Sequence, residues 1–428
     1  MSYRLLVMKQ GVVGWVGMLL AMVVFAPESY SAQSLSNEIC LSCHGAPGLE
    51  KKRDGKTIPL HVDAGRFSRS VHGPLGCLSC HSGIKEIPHG PEVKRVQCGL
   101  CHAEPYKVYA QSIHGKASSK GDKDAATCDD CHGTHDIFPI NNPDSRVYPL
   151  NLPRTCGVCH GDPELAKRHR IPVVNAYQLY MDSIHGRALS KSGLLVAAHC
   201  SSCHGSHEIR PKRDPESKVN RTNVPSTCGT CHAGVLAEYF GSVHGQAVKD
   251  GSAVAPVCVD CHTTHEIRRV ETPLWKLEIV KECGTCHRES LRTYRDTFHG
   301  QVTTLGFIRV ARCSDCHGSH RILRASDPLS SISPKNLVST CQKCHPKANA
   351  NFAQFSPHAD FTDKERNPGL YYAAIFMKTL LIGVFAFFGL HTFLWLLRST
   401  IEIWGGRKRR QATEDSDEEE NKDEPPGS

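Results

Sequence analysis

The residues of this chain whose types and spacing could do chemistry are its cysteines and histidines. All 22 cysteines fall in eleven Cys-x-x-Cys pairs, and a histidine directly follows each pair. We number these motifs 1 to 11 in chain order. Their cysteine pairs are Cys40 and Cys43, Cys77 and Cys80, Cys98 and Cys101, Cys128 and Cys131, Cys156 and Cys159, Cys200 and Cys203, Cys228 and Cys231, Cys258 and Cys261, Cys283 and Cys286, Cys313 and Cys316, and Cys341 and Cys344. The motif histidines are His44, His81, His102, His132, His160, His204, His232, His262, His287, His317 and His345.

Two thiols at this spacing can form thioether bonds to the two vinyl groups of one porphyrin, and the adjacent histidine then faces the iron as its proximal ligand. A single copy would leave a zinc ribbon or a redox-active dithiol as alternatives. Eleven copies with no cysteine left over argue against both. The pattern predicts eleven covalently attached haem c groups.

A second set of eleven histidines recurs after the motifs. Odd-numbered motifs are followed by a segment that ends in Ser-x-His-Gly or a close variant, and even-numbered motifs by another histidine soon after their own. We call these the distal histidines, because we expect them to bind the opposite face of an iron. They are His72, His114, His185, His244, His299 and His358 after odd motifs, and His89, His135, His207, His265 and His320 after even motifs.

The distal ligand decides between electron carriage and catalysis. Methionine is nearly excluded, since Met181 is the only one in residues 33–367. The distal histidines supply one ligand for each predicted haem, and an iron closed by two histidines has no site for a substrate. Histidine in place of methionine also lowers the reduction potential. The ligand set therefore predicts low-potential electron carriers.

Three histidines of this region fall outside both patterns. For His61, His169 and His199 we expect structural or surface roles. His61 lies in the insertion after motif 1, and we expect it to be the substitute if a patterned distal histidine is not a ligand.

The elements that must position these ligands are short. Val235, Tyr239 and Val243 recur at fourfold spacing before His244, which predicts a helix. A helix of that length carries its last residue about 18 Å along the axis, so the distal histidine should serve a different haem. Proline- and glycine-rich connections indicate loops, and no alternating run predicts a strand. The expected fold class is mainly α with extensive irregular loops, extended along a haem chain, with five two-motif units after a single motif at Cys40.

Both ends of the chain carry signals for export and membrane insertion. Residues 1–32 have the pattern of a secretory signal peptide, with an uncleaved N-terminal anchor as the alternative. Residues 379–397 are mainly apolar and long enough to span a bilayer, and basic residues follow them. We therefore predict a haem region facing the periplasm, 33–367, a transmembrane helix with flanks, 368–405, and a cytoplasmic disordered tail, 406–428, in a bacterial inner membrane.

His391 lies within the predicted span. An ionisable residue there is a functional candidate, and its imidazole could bind a b-type haem whose second ligand comes from a partner subunit or a second copy. A hydrogen bond to a neighbouring helix is the alternative.

The charge of the chain does not indicate a nucleic-acid partner. The formal net charge is +8, and because residues 412–428 are strongly acidic, the rest is more basic than this total. Haem propionates are natural partners for scattered lysines and arginines. We expect no nucleic acid to bind.

The alternation of CHGxH and SxHG around Cys-x-x-Cys-His, from Cys40 to His358, resembles multihaem c-type cytochromes of the doubled-motif, cytochrome c3-like group, which includes periplasmic relay cytochromes of respiratory chains. The segment GLHTFLWLLR is similar to the first haem-bearing helix of b-type cytochromes that follow a multihaem domain in some relatives, although only one such span is present here. The resemblance implies electron transport in anaerobic respiration, between a quinol-oxidising or b-type membrane partner and periplasmic or outer-membrane redox proteins. The alternatives are a reductase of a small nitrogen or sulfur oxyanion, which needs one open haem, and a membrane tether that happens to bind haem.

Overall fold

The computed structural model describes residues 36–53 and 56–420 of the 428-residue chain. The predicted signal peptide, residues 1–32, lies outside these ranges, as do residues 421–428 of the predicted tail.

The described chain is mainly helical, as the sequence predicted. Most of its helices are short, because the motifs and the punctuating glycines and prolines leave little room for longer ones. They are α1 (Asn37–His44), α2 (Ala64–Arg69), α3 (Cys77–Cys80), α4 (Ala103–Gln111), α5 (Ile113–Ser119), α6 (Cys128–His132), α7 (Leu152–His160), α8 (Pro163–Arg168), α9 (Ala176–Asp182), α10 (Ile184–Ser190), α11 (Cys200–His204), α12 (Val224–Gly229), α13 (Ala233–Phe240), α14 (Val243–Lys249), α15 (Cys258–His262), α16 (Pro273–Cys286), α17 (Arg288–Asp296), α18 (Phe298–Thr304), α19 (Cys313–His317), α20 (Leu337–Gln342) and α21 (Pro368–Glu420). Short 3-10 helices occupy Cys98–Leu100 and Phe352–Gln354.

One small sheet lies in the insertion between His44 and His72. Strands β1 (Glu50–Arg53) and β2 (Lys56–Pro59) pair antiparallel, with Glu50 opposite Pro59. The sequence did not predict this hairpin, because four-residue strands rich in lysine and arginine carry no alternating apolar pattern.

The chain forms two compact units. One comprises residues 36–53, 56–101 and 132–139, and the other comprises 102–131 and 140–420. The second unit therefore holds the cysteines of motifs 4 to 11 and the long C-terminal helix.

The loops that lead into motifs 5, 7 and 11 share one hydrogen-bond pattern. In the loop before motif 7, the side-chain amide of Asn223 donates to the carbonyls of Pro215 and Ser217, at 2.7 and 2.9 Å. The hydroxyl of Thr227 donates to the carbonyl of Lys218 at 2.7 Å. Asn151 with Thr155 and Asn336 with Thr340 repeat these contacts. Motif 9 is different, because the helix α16 replaces the loop before it.

Helix α21 is, within the described residues, the one helix long and apolar enough to cross a membrane. It contains the predicted span, 379–397. The helix continues through the basic residues 407–410 to Glu420, where the sequence predicted a disordered tail from residue 406. Strong helix formers such as arginine, lysine, glutamine and glutamate account for this difference, since extending an existing helix needs no new nucleus.

Candidate metal centres

The Cys-x-x-Cys-His motifs lie on single helical turns or at the ends of helices. Motif 8 is helix α15, Cys258–His262, and motif 10 is helix α19, Cys313–His317. Residues three apart lie on one face of a helix, so the two thiols of a motif point to the same side. All 22 thiols are free of disulfide bonds.

Nine motif histidines each face one distal histidine. The two ring centroids lie 5.9 to 6.2 Å apart in every pair. The pairs are His44 with His89, His81 with His135, His160 with His114, His204 with His265, His232 with His185, His262 with His320, His287 with His244, His317 with His358 and His345 with His299.

This spacing fits a metal ion between the two rings. Two imidazoles bound to opposite sides of one ion, through bonds of about 2.0 Å, have centroids about 6 Å apart. Packed aromatic rings alone adopt separations anywhere between about 4.5 and 7 Å. The interplanar angles of the nine pairs range from 4° to 61°, so the rings do not share one stacking geometry. What the pairs share is the distance between the two ring centroids. The cysteines that precede each motif histidine fit the covalent attachment of a haem around such an ion.

Hydrogen bonds at Nδ1 orient several of these rings. Nδ1 of His44 lies 2.9 Å from the carbonyl oxygen of Leu60, and Nδ1 of His89 lies 2.8 Å from the carbonyl oxygen of the next residue. A carbonyl only accepts, so Nδ1 donates in both cases and Nε2 keeps its lone pair. Nδ1 of His358 lies 3.1 Å from the hydroxyl of Thr293. Outer partners of this kind fix the tautomer and orientation of metal-binding histidines.

Burial keeps many of these imidazoles in the neutral form that binds metals. Burial, together with the nearby His265 and His160, lowers the pKa of His204 to about 4. Burial also lowers the pKa of the paired residues His81, His114, His135, His160, His185, His244, His262, His265, His299, His317 and His358.

The pairs follow one order along the chain. Odd motifs 5 to 11 are paired with the distal histidine of the previous odd motif, as His287 is with His244. Even motifs 2, 6 and 8 are paired with the distal histidine of the next even motif, as His262 is with His320. At the ends, motif 10 takes the distal histidine of motif 11, and motif 1 takes that of motif 2. A distal histidine therefore faces a motif other than the one it follows.

Successive motifs also lie next to each other through their cysteines. The first cysteine of motifs 1, 5, 7 and 9 lies next to the first cysteine of the following motif, in the pairs Cys40 with Cys77, Cys156 with Cys200, Cys228 with Cys258 and Cys283 with Cys313. The second cysteine of an even motif lies near the cysteines of the following odd motif, as Cys80, Cys131, Cys203, Cys261 and Cys316 do. The contacts between first cysteines join an odd motif to the even motif after it, whereas the sequence suggested units that begin with an even motif.

The serine of Ser-x-His-Gly caps the helix that carries the distal histidine. Ser242, which is 1% exposed, accepts a hydrogen bond from the N–H of Gly245 at 3.0 Å and donates one to the carbonyl of Tyr239 at 2.6 Å. The segment predicted as one helix is therefore two, α13 and α14, which meet at this serine. Ser112, Ser183 and Thr297 accept the equivalent bond.

The glycine after the distal histidine is required by close packing. A Cβ at Gly245 would lie 2.0 Å from the carbonyl oxygen of Tyr239. At Gly115, Gly186 and Gly300 the same tyrosine carbonyl would lie at 2.1 Å. Any other residue would push the histidine helix away from the helix before it.

A second glycine turns the chain after three even motifs. Gly133, Gly205 and Gly318 have φ between 81° and 89°, in the left-handed region. Motif 8 has Thr263 there, with φ 65°, and a β-branched residue is strained in this region. Its hydroxyl donates to the carbonyl of Glu266 at 2.8 Å.

A tyrosine five residues before the distal histidine is a positioning residue that the sequence reading missed. The hydroxyl of Tyr239 donates to the carbonyl of Pro256 at 2.9 Å, two residues before the first cysteine of motif 8. Tyr109, Tyr180 and Tyr294 bond the equivalent carbonyls before motifs 4, 6 and 10. The signal was present, because tyrosine recurs three residues before the serine or threonine in all four segments.

Motif 8 has surroundings unlike the other even motifs. The ring of Trp275, on α16, stacks on His262 with centroids 5.7 Å apart and planes 13° apart. Arg268 binds Glu266 and Glu278 through hydrogen bonds of 2.6 to 3.1 Å, at the rim of the same small pocket. The haem predicted here would lie beside the ring of Trp275 and the charged group of Arg268.

The remaining histidines are accounted for as follows. His61 is exposed. His169 lies between Asp122 and Asp124, at 3.5 and 2.9 Å, and the latter carboxylate also accepts from Arg168. His199 caps α11, and its Nδ1 lies 3.1 Å from the hydroxyl of Ser201. His391 lies on α21 and is exposed. For His72, His102, His132 and His207 the ligand role stays a prediction from the sequence.

Comparison of the chain with protein-family models, curated protein sequences and solved structures finds no match.

Proposed function

We propose that this chain is a membrane-anchored c-type cytochrome with eleven haems that relays electrons between a quinol-oxidising membrane partner and periplasmic or outer-membrane acceptors. The observation that carries the proposal is the set of nine histidine pairs at one separation, each joining a Cys-x-x-Cys-His motif to a patterned distal histidine.

The residues divide the work between attachment and ligation. The two cysteines of a motif would hold the haem covalently, and the motif histidine and its distal histidine would be the two ligands of the iron. When bound, the haem supplies a reversible one-electron iron couple. Two histidine ligands leave no position for a substrate, which favours passage of electrons over catalysis.

The order of the motifs supports a relay. Within each of the two compact units, motifs that follow one another in the sequence also lie next to one another in space. Their cysteines are neighbours, as Cys228 and Cys258 are. Covalent attachment at these neighbouring cysteines would hold consecutive haems close together. Because each of the nine paired distal histidines faces a motif other than its own, the haems would also join separate segments of the chain.

The polypeptide alone has a small apolar core. Twelve apolar side chains are buried among the described residues, four of them alanine, and the smallest relative exposures include serines such as Ser112, Ser183 and Ser242. A domain of this size normally buries far more apolar surface. Large, flat, apolar cofactors held between histidines supply that surface, so we expect folding to depend on haem attachment.

The long apolar helix α21 supports a membrane anchor, with the basic residues 407–410 on the cytoplasmic side by the positive-inside rule. His391 on this helix is then available to a b-type haem shared with a partner subunit. The alternative, a hydrogen bond to a neighbouring helix, needs a partner helix as well.

The proposal is tested by mixing the purified, dithionite-reduced full-length protein with nitrite, hydroxylamine and sulfite in a stopped-flow spectrophotometer. A relay predicts no rapid reoxidation of the c-type haem bands by these substrates, and rapid reoxidation by ferricyanide as the control. Fast oxidation by any of the three would favour the oxyanion reductase instead. Absence of a pyridine haemochrome signal would exclude both functions.

A further inference from the structure

One backbone hydrogen bond recurs at four of the distal-histidine segments. The residue before the distal histidine donates its N–H to the carbonyl of an isoleucine five residues after the motif histidine of a later even motif. The bonds are Val71 to Ile137, Ile113 to Ile209, Ile184 to Ile267 and Val243 to Ile322, all 2.8 to 2.9 Å long. Each bond joins a histidine helix to an extended segment that covers its start.

The fifth segment lacks this cover. Phe298 stands at the equivalent position before His299, and no acceptor lies within reach of its N–H among residues 36–53 and 56–420. Its side chain is 76% exposed. In the other four segments the covering isoleucine follows a later even motif, and no even motif follows His299 other than motif 10, whose Ile322 is bonded to Val243.

The open position lies beside the last motif. His299 is paired with His345 of motif 11, and the ring of Phe352 packs on His345 with centroids 5.0 Å apart. Leu305, just after the helix of His299, is 87% exposed. The exposed ring of Phe298 directly precedes His299, so an apolar side chain is presented next to the final predicted haem. We call Phe298 and Leu305 the open-end surface.

The same end is tied to the start of the membrane helix. Arg292, on the helix before Phe298, binds the carboxylate of Asp360. The next residue, Phe361, lies under the ammonium of Lys378, 5.0 Å from its ring centroid, and Lys378 is on α21. A protein that reaches the open-end surface therefore does so near the membrane.

We propose that the open-end surface binds a membrane-bound redox partner, which supplies a carbonyl to the N–H of Phe298 and an apolar side chain against its ring. This inference rests on the proposed function and adds the place where electrons are exchanged with the membrane. The partner repeats the interface that the isoleucine segments make four times within the chain. Motif 11 is then the terminal haem of the exchange.

The test compares two full-length variants in native membranes. Phe298→Asp places a charge on the open-end surface. The control, Val254→Asp, places a charge at a residue that is 83% exposed in the loop between α14 and α15. Reduction of the c-type haem bands by duroquinol is followed in the stopped-flow instrument. We expect Phe298→Asp to slow this reduction about tenfold or more, as loss of an interface anchor does, and Val254→Asp to leave it unchanged. Phe298→Leu should retain most of the rate.

Haem content and the dithionite-reduced spectrum are measured for every variant. Equal duroquinol rates in the wild type and Phe298→Asp, with full haem content, would overturn the partner site while leaving the relay proposal intact. Two results assign the surface to another occupant and also overturn the inference. The first is a wild-type dimer in detergent that Phe298→Asp dissociates without a change in rate. The second is a purified wild type that is reduced equally fast in vesicles of phosphatidylethanolamine and phosphatidylglycerol without a partner, which would indicate lipid contact. If Phe298→Asp loses haem, Phe298→Ser takes its place in the same assay.

Discussion

Replacing Gly245 with alanine tests how the chain positions a distal histidine. The new Cβ would lie 2.0 Å from the carbonyl oxygen of Tyr239, where ordinary contacts need more than 3 Å. Neither the Cβ nor the carbonyl oxygen can turn aside as the end of a flexible side chain could. Helix α14 must therefore move away from α13 by about 1 Å or more. Overpacking of this kind costs about 1–3 kcal/mol, less about 0.4–1 kcal/mol gained from the stiffer unfolded chain. The net cost is then about 0 to 2.6 kcal/mol, and its middle value of about 1.3 kcal/mol raises the population with α14 opened about tenfold.

Gly234 provides the matched control. It lies one helix earlier, in α13, and a Cβ there would meet no atom within 4 Å. Alanine at this position should stabilise α13 by about 0.5–1 kcal/mol. Hydrogen exchange of the haem-loaded protein, read by mass spectrometry over residues 233–249, measures both variants. We expect faster exchange in α14 for Gly245→Ala, with a shift in one low-spin electron paramagnetic resonance signal, and slower or unchanged exchange for Gly234→Ala. The same exchange rates in both variants would refute the close-packing argument.

Three further predictions concern neighbouring contacts. Tyr239→Phe removes the hydrogen bond from the Tyr239 hydroxyl to the carbonyl of Pro256 and should lower local stability by about 0.5–1.5 kcal/mol. Unchanged hydrogen exchange in the residues before motif 8 would show that this hydrogen bond does not hold the segment in place. Trp275→Ala admits water beside His262, which favours the charged oxidised iron, so a potentiometric titration should show one haem with a lowered potential; an unaltered titration would exclude this role. The pKa of Asp124 is held below its ordinary value by hydrogen bonds from His169 and Arg168. This contact therefore stabilises the fold above the unfolded pKa of Asp124 and is lost as the pH falls through the lower folded pKa. In His169→Gln, NMR titration should show the Asp124 pKa rising towards its ordinary value, and no rise would argue against the ion pair.

The sequence was informative about local chemistry. Spacing alone predicted that His244 lies on a helix leading away from motif 7, and His244 lies on α14. It also predicted that such a histidine meets another motif, and His244 faces His287. The mainly helical fold and the apolar C-terminal helix were predicted from composition and periodicity.

Long-range pairing could not be read from the sequence. Nothing in the spacing pattern shows which of the other motifs is the partner of His244, because the path of the connecting loops decides which motif it meets. The break at Ser242 was also missed, since an apolar fourfold repeat continues through it while the hydroxyl bonds the backbone. The stacking of Trp275 on His262 depends on α16 replacing a loop found elsewhere. Such departures from a repeat are set by tertiary packing.

Electron paramagnetic resonance of the fully oxidised full-length protein tests the central claim most directly. Closure of every iron by two histidines predicts low-spin signals that integrate to the haem content found by pyridine haemochrome, with no high-spin signal near g = 6. A high-spin population of about one haem in eleven would contradict the closed relay and indicate an iron open to a substrate.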